Sequence, residues 1–478
     1  MTETAALSDQ WPASLAAILR RHDFMNRAVA CLGRPSAATI RHLVRNVSAA
    51  VPADPSPPDD ARLLTDLLVF GRPCSVEAGT MLLGPSLLES MIANGLLARS
   101  NGIVTSDAYM LVPFHGLVFF VSRLRHERTQ PHSIAVYIGR DTQELTAAAI
   151  SNAGRRTLDL GCGGGLVGIT LAAERPGTQV VGTDLCEQAV GIAAINARLN
   201  DVAYVARAGD LYAPVADEVF ELIVADPPAI ALPAELASPI YGSGGESGDG
   251  LLRRMVCGLD RHLTKSGQFI AITELQSSLA PPRFVAWAQA WSAEHPEFTV
   301  ELRHVASRRL PPSYHASLGA NLMYLPGTSG GDSALSQQRL VAFAKRQCVL
   351  FGNWTHVQIA RRRESVRFRQ IFDYPQAQPI GRPRRAGTVG HVEEQLASHY
   401  PGEIDAFGTH LQSFLRLCTG KQTLASIAEQ VAYELKDEFG FSPDESLSYL
   451  LRLATAMAQI SVLDAVAPDA VDATRAAP

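Results

Sequence analysis

Four apolar runs in the middle of the chain each end in an acid. Residues 157–165 read TLDLGCGGG, 179–185 read QVVGTDL, 209–211 read GDL and 224–228 read VADPP. In the first, a strand-like run meets a glycine-rich turn, where Gly161 and Gly163 let the backbone approach a ligand closely. Asp159 precedes that turn, and an acid there suits a ligand with a cationic amino group rather than a pyrophosphate. Asp184 lies about twenty residues beyond the turn, where an acid accepts both hydroxyls of a ribose; it also reads as a helix cap. Leu185 follows it. Asp210 and Leu211 close the third run, and Asp210 reads either as an acceptor for an adenine amino group or as an Asx turn. Asp226 ends the fourth run, and Pro227 and Pro228 hold its loop rigid. Gly163, Gly165 and Gly168 also fit GxGxxG, the dinucleotide fingerprint. The acid before the turn and the later motifs weigh against that reading.

These acids need a scaffold of strands. Runs at 157–160, 179–183, 202–207, 222–225 and 268–273 are strand-like, and 166–174, 187–199 and 251–263 are helical in pattern. Such alternation predicts an α/β fold with a Rossmann-like, doubly wound and mainly parallel sheet. A final antiparallel strand is expected at 348–359, with the flexible run 327–332 as an insertion before it. Three domains are expected: 1–129, 130–363 and 364–478. In the first, a proline-rich acidic stretch at 52–60 precedes helical patterns at 61–70, 76–83 and 86–94, with Gly95 as a cap, then short strands up to 121. This order resembles a winged helix. Its candidate recognition helix, SLLESMIAN, has no Lys or Arg, so the module is assigned to covering substrate or to dimerisation rather than to DNA. The third domain carries helical patterns at 404–417, 424–438 and 443–459, a short strand at 461–463 and an Ala/Asp/Pro-rich tail expected to be disordered. It too is winged-helix-like.

The chain resembles the Asn/Asp-Pro-Pro-aromatic methyltransferases, a group that includes the release-factor glutamine methyltransferases. Asp159 to Gly165, Asp184, the run NARLN at 196–200, Asp210 and Asp226 to Pro228 carry the resemblance, and Tyr137, Asp141 and Thr142 lie in a segment like the one that precedes the glycine turn in that group. The resemblance implies S-adenosyl-L-methionine as cofactor, held by Tyr137, Asp141, Thr142, Asp159, Gly161, Gly163, Asp184, Leu185, Asp210, Leu211 and Asp226. It also implies that Asp226 and the Pro227 segment orient an acceptor nitrogen for in-line displacement, where positioning supplies much of the rate. The fourth motif position departs from the pattern, because Ala229 stands where an aromatic ring normally stacks on a planar amine or amide. Tyr241, in the glycine-rich run 238–250, is a candidate replacement for that ring, and Glu246 and Asp249 are further candidates in the same run. The run reads equally as an exposed loop.

Composition narrows the partners. The 478 residues carry 42 Lys and Arg against 47 Asp and Glu, so a nucleic-acid partner is not expected from net charge. Arg123, Arg125, Arg128, Arg308 and Arg309 are the candidates for a local basic surface. The seven cysteines are scattered and never spaced as CxxC, so neither a disulfide framework nor a metal site is expected. No signal peptide or bilayer-length apolar run is seen, which gives a cytoplasmic expectation with no membrane partner. His115, His262 and His315 are isolated and read as structural or exposed. The expected function is methyl transfer, N-methylating a small-molecule or peptide-like biosynthetic intermediate, with a homodimer among the expected states. Modification of rRNA or of a translation protein is the alternative, followed by a protein that binds S-adenosylmethionine or a partner without transferring methyl.

Overall fold

The computed structural model describes residues 10–32, 59–123, 136, 138–233, 243–277, 282–310, 333–347, 351–362, 366–372, 382–399, 408–439, 450 and 463–466. Helices α1 (Trp11–Arg21), α2 (Phe24–Leu32), α3 (Asp60–Leu68), α4 (Val76–Leu83) and α5 (Pro85–Ala93) open the chain. Asp59 caps α3 by accepting the Arg62 N–H at 2.8 Å, and Ser75 caps α4 by accepting the Ala78 N–H at 3.1 Å. Strands β1 (Cys74–Ser75), β2 (Ala98–Ser100) and β3 (Ile103–Thr105) form a small antiparallel sheet in the order β1-β3-β2. The apolar segment beyond it is a hairpin of β4 (Tyr109–Phe114) and β5 (Leu117–Ser122), turned by His115 and Gly116 at φ 48° and 76°. Two positive φ values in succession fit the twist of the flanking strands.

The centre follows the expected alternation: α6 (Arg140–Ser151), β6 (Arg156–Leu160), α7 (Leu166–Glu174), β7 (Gln179–Asp184), α8 (Glu187–Leu199), β8 (Tyr204–Ala208) and β9 (Phe220–Ala225). Then come α9 (Gly250–Cys257), α10 (Leu259–His262), β10 (Leu263–Ser277), α11 (Arg283–Glu294), β11 (Thr299–Arg309), α12 (Ser333–Arg346), β12 (Phe351–Ala360) and β13 (Phe368–Phe372). The helix expected at 251–263 is thus divided at Gly258. The strands form one eight-stranded sheet in the order β13-β11-β12-β10-β9-β6-β7-β8. Residues alternate between its faces, as strand geometry requires. Leu222 and Val224 meet Leu145 and Ala149 of α6 and Leu171 of α7, while Ile223 and Ala225 meet Leu252, Met255 and Val256 of α9 and Phe284 of α11.

Strand β12 is antiparallel, as expected, but it is not the last strand. It lies between β10 and β11, and β13 pairs parallel to β11 at the sheet edge. Arg367 and Arg369 are exposed around that strand. Charges of this kind suit an edge and hide its strand pattern in the sequence.

The run rich in Pro, Gly and Arg near residue 380 contains β14 (Arg382–Arg385). Helices α13 (Val389–His399), α14 (Gly408–Leu417) and α15 (Leu424–Phe439) follow, and β15 (Leu463–Val466) pairs antiparallel with β14. The closing strand therefore falls two residues later than expected. The run 327–332 and, apart from Leu450, the helix expected at 443–459 lie outside the described residues. Among the described residues no helix is long and apolar enough to cross a membrane.

Candidate functional site

The chain leaves β6 toward β7 on one side and returns to β9 on the other, so a crevice opens at the carboxyl ends of β6 and β9. Such a reversal of strand order is where open α/β sheets bind ligands. The glycine turn and Asp226 occupy its two banks. Gly161, Gly163 and Gly165 have φ of 78°, 52° and 77°, values that favour glycine. A Cβ added at Gly163 would meet no protein atom within 4 Å, so the turn presents bare backbone to open space, as a ligand cradle requires.

Asp184 ties this turn to β7. Its two oxygens accept the Gly163 N–H at 2.8 Å and the Cys186 N–H at 2.9 Å. Each carboxylate oxygen has a second lone pair, so these bonds leave acceptor capacity for ribose hydroxyls. The Gly209 N–H donates to the Asp184 carbonyl at 2.8 Å, which brings Asp210 alongside. Asp210 is exposed and pairs with Arg254 at 2.6 Å. Leu211 has φ 49°, and both residues border an open cavity of about 430 Å³ shared with Arg254 and Trp287. Leu185 is 56% exposed, an apolar side chain left uncovered beside Asp184.

Asp159 differs from the others. It is 3% exposed, and its Oδ2 accepts the Gly168 N–H of α7 at 3.0 Å and the Tyr204 hydroxyl at 3.5 Å. Its direct bonds therefore anchor the helix after the glycine turn. Its charge acts on the crevice from behind. Burial, joined by the nearby Asp184 charge, pushes its carboxyl up to about 7. Asp184 is also raised, by burial.

The amino end of α6 closes the crevice from the other side. Gly139 donates its N–H to the Thr142 hydroxyl at 3.2 Å, and Thr142 is buried. Asp141 accepts the Thr142 N–H at 2.9 Å in the first turn, where the helix dipole favours an acid. Asp226 is raised well above the usual carboxylate range by burial, then by the charges of Asp141 and Asp159. Four acids thus share one crevice. Anions so placed repel one another until a cation joins them. S-adenosylmethionine carries a sulfonium and an ammonium, so this donor set fits it. The reduced nicotinamide dinucleotide carries a pyrophosphate that the same acids would repel.

The loop after Asp226 is braced by a segment whose role the sequence left open. Gly244 donates its N–H to the Ile230 carbonyl at 2.9 Å, and Leu232 donates to the Gly245 carbonyl at 3.1 Å. Gly248, at φ 77°, lies so close that an added Cβ would stand 2.7 Å from the Ala229 carbonyl oxygen. Gln276, at the carboxyl end of β10, accepts the Ala231 N–H at 2.9 Å. Asp249 is 4% exposed and is engaged by Ser247 and by Arg253, both at 2.6 Å, so it serves the start of α9. Glu246 is exposed. Tyr137 and Tyr241 lie outside the described residues.

One other expectation changes. Arg123 is 8% exposed, and its guanidinium donates to the carbonyls of Ser106, Tyr109 and Leu68, so it cannot serve a basic surface. Arg125, Arg128 and the side chains of Arg308 and Arg309 lie outside the described residues, as does His315. His262 is buried, stacked on Tyr212 with ring centroids 4.4 Å apart, and His115 sits in the β4–β5 turn. Sequence reasoning missed the roles of Asn196 and Asn200, although it singled out the run that contains them. Both side chains bond to the backbone of β5.

Residues 140–280 match the family model described as "Methyltransferase small domain". Two curated relatives are release factor glutamine methyltransferases of Xylella fastidiosa. That of strain 9a5c is 44% identical over 79 residues, 16% of this chain and 29% of the relative. That of strain Temecula1 is 36% identical over 129 residues, 24% of this chain and 46% of the relative. The chain thus spans less than half the length of these relatives. The ribosomal protein L11 methylase of Lactobacillus delbrueckii subsp. bulgaricus aligns at 18% identity over 47% of this chain and 81% of its own, with a TM-score of 0.28. The glycine turn, the acids and the sheet that carries them make the centre of this chain a class I methyltransferase domain with a Rossmann-like fold. S-adenosylmethionine is the methyl donor that this family implies.

Proposed function

We propose that the protein transfers the methyl group of S-adenosylmethionine to a nitrogen of a small-molecule or peptide-like acceptor held at Asp226. The observation that carries this reading is the position of Asp226 at the carboxyl end of β9, across the crevice from the glycine turn, where burial and then the charges of Asp141 and Asp159 raise its carboxyl. The donor supplies an electrophilic methyl on a sulfonium. Asp184 and the glycine turn hold its nucleoside part, Asp210 and Leu211 its base, and the acids around Asp226 its ammonium end. Asp226 accepts a hydrogen from the acceptor nitrogen and aims its lone pair. Pro227 and Pro228, braced by Gly248 behind Ala229, keep that aim fixed. An amine becomes cationic as it is methylated, and the surrounding carboxylates favour that charge.

Ala229 supports the choice of acceptor. A methyl group offers no face on which a planar amide could stack, whereas an aliphatic or ring amine does not need one. The domain assignments also remain our reading: residues 1–129 cover the acceptor, 130–363 hold the donor, and 364–478 form a separate helical appendage, acting together in the cytoplasm. The similarity to release factor glutamine methyltransferases favours a second reading, a glutamine side chain of a translation protein. The two are separated by offering the full chain tritium-methyl S-adenosylmethionine with either a panel of amines and amine-bearing peptides or purified release factors and ribosomal proteins. Label on an amine that depends on Asp226 supports the first reading. Label confined to a glutamine of a translation protein overturns it in favour of the second.

A further inference from the structure

The run NARLN places Asn196 in the last turn of α8 and Asn200 one turn on, at its C-cap. Four residues of helix rise about 6 Å and two residues of strand about 6.7 Å, so an i,i+4 pair on a helix can address alternate residues of a strand. The structure uses that match. Asn196 accepts the Phe120 N–H at 2.8 Å and donates to the Phe120 carbonyl at 3.2 Å. Asn200 accepts the Val118 N–H at 2.9 Å and donates to the Val118 carbonyl at 2.7 Å. Two side-chain amides thereby pair with β5 as a third strand would, and the helix covers that strand edge.

Asn196 does one thing that Asn200 does not. Its amide also donates to the Gly164 carbonyl at 2.9 Å, inside the glycine turn. Asn196 is fully buried, so this bond is shielded from water. A second contact runs the same way. A Cβ on Gly164 would collide with the Val136 side chain, and Val136 and Ser122 at the end of β5 are joined by hydrogen bonds of 2.8 and 2.9 Å. The glycine turn is therefore backed by Val136, which is bonded to the end of β5, and by Asn196, which docks the hairpin.

We infer that Asn196 is a positioning residue that couples docking of the N-terminal hairpin to affinity for S-adenosylmethionine. The inference rests on the cofactor reading above. Asn196 fixes the Gly164 carbonyl, Gly163 next to it donates to Asp184, and Asp184 holds the donor. The coupling is reciprocal: a ligand that orders the turn must also tighten the hairpin. An acceptor that presses the hairpin against α8 would raise donor affinity through the same bond.

Calorimetry with S-adenosylmethionine on the full chain compares wild type with Asn196→Ala and Asn200→Ala. Both variants loosen the hairpin and lower Tm. Asn196→Ala loses its two bonds to Phe120 and the bond to Gly164, and is expected to weaken donor binding about tenfold, the scale of the one bond that reaches the turn; Asn200→Ala, which leaves that bond in place, weakens it by less than about twofold. Equal effects in the two variants, or none in Asn196→Ala, overturn the inference. Amide exchange on wild type decides the matter if Asn196→Ala does not fold. S-adenosylmethionine is expected to slow exchange at the Val118 and Phe120 N–H groups as well as at Gly163, and slowing at Gly163 alone overturns the coupling. A wild type that binds no S-adenosylmethionine overturns the cofactor reading itself, a distinct outcome.

Discussion

Replacing Asp159 by Asn should stabilise the ligand-free protein at neutral pH while weakening its hold on the donor. Burial pushes this carboxyl from 3.8 to about 7. Between those values the folded chain keeps a proton that the unfolded chain has released. The stability linked to that proton is fully present below about pH 4 and is lost as pH climbs through about 7. The shift is about three units at 1.36 kcal/mol each, so wild type should lose on the order of 4 kcal/mol from this group between pH 4 and pH 8. An asparagine keeps an oxygen for the Gly168 N–H and the Tyr204 hydroxyl but carries no charge to desolvate. Urea unfolding at pH 5, 6, 7 and 8 without ligand should show a falling midpoint for wild type and a flatter one for Asp159→Asn, with the variant the more stable at pH 8. Its affinity for S-adenosylmethionine should fall, because the acid that acts on the cation from behind the glycine turn is gone. A variant less stable than wild type at pH 8, or one with an unchanged slope, would refute the assignment of Asp159 as a desolvated acid held in reserve for a cationic ligand.

Three further outcomes are expected. Binding of S-adenosylmethionine should release protons and strengthen as pH rises from 6 to 8, because Asp159, Asp184 and Asp226 are all raised without ligand and a cation lowers them; calorimetry in buffers of different ionisation heat reads the proton number. Asp226→Ala should weaken donor binding, as removal of any of the four acids does, and should also lower the rate of methyl transfer at saturating donor by about a hundredfold or more, as loss of positioning does, read as label transferred per minute. Gly182→Ala should destabilise the protein by about 1–3 kcal/mol, because the new methyl runs into the Tyr204 ring packed beneath β7; thermal unfolding checks it.

The parts of this protein legible in its sequence are those where one residue type has one physical use. Glycines at 161, 163 and 165 signalled a turn open to a ligand, and the structure has that turn, with all three at positive φ. Apolar runs buried on both faces gave β6, β7 and β9 within a residue or two. Position in the sheet was harder to read, because β13 and β14 carry arginines at an edge and their strand pattern is masked by charge. Side-chain direction was harder still. Asp159 sits beside the glycine turn in sequence, yet its bonds run to α7, and Arg123 looked like surface charge but serves three carbonyls in the interior. The asparagine pair on α8 was visible as a motif, but its meaning depends on a strand some 80 residues earlier in the chain, a contact no local pattern encodes.

The most direct test of the central claim is calorimetric titration with S-adenosylmethionine and with NADH, on wild type and on Asp184→Ala. The account predicts micromolar binding of S-adenosylmethionine to wild type, none to Asp184→Ala, and no preference for the dinucleotide. Failure of wild type to bind S-adenosylmethionine, or tighter binding of NADH, would contradict it and return the glycine turn to the dinucleotide reading.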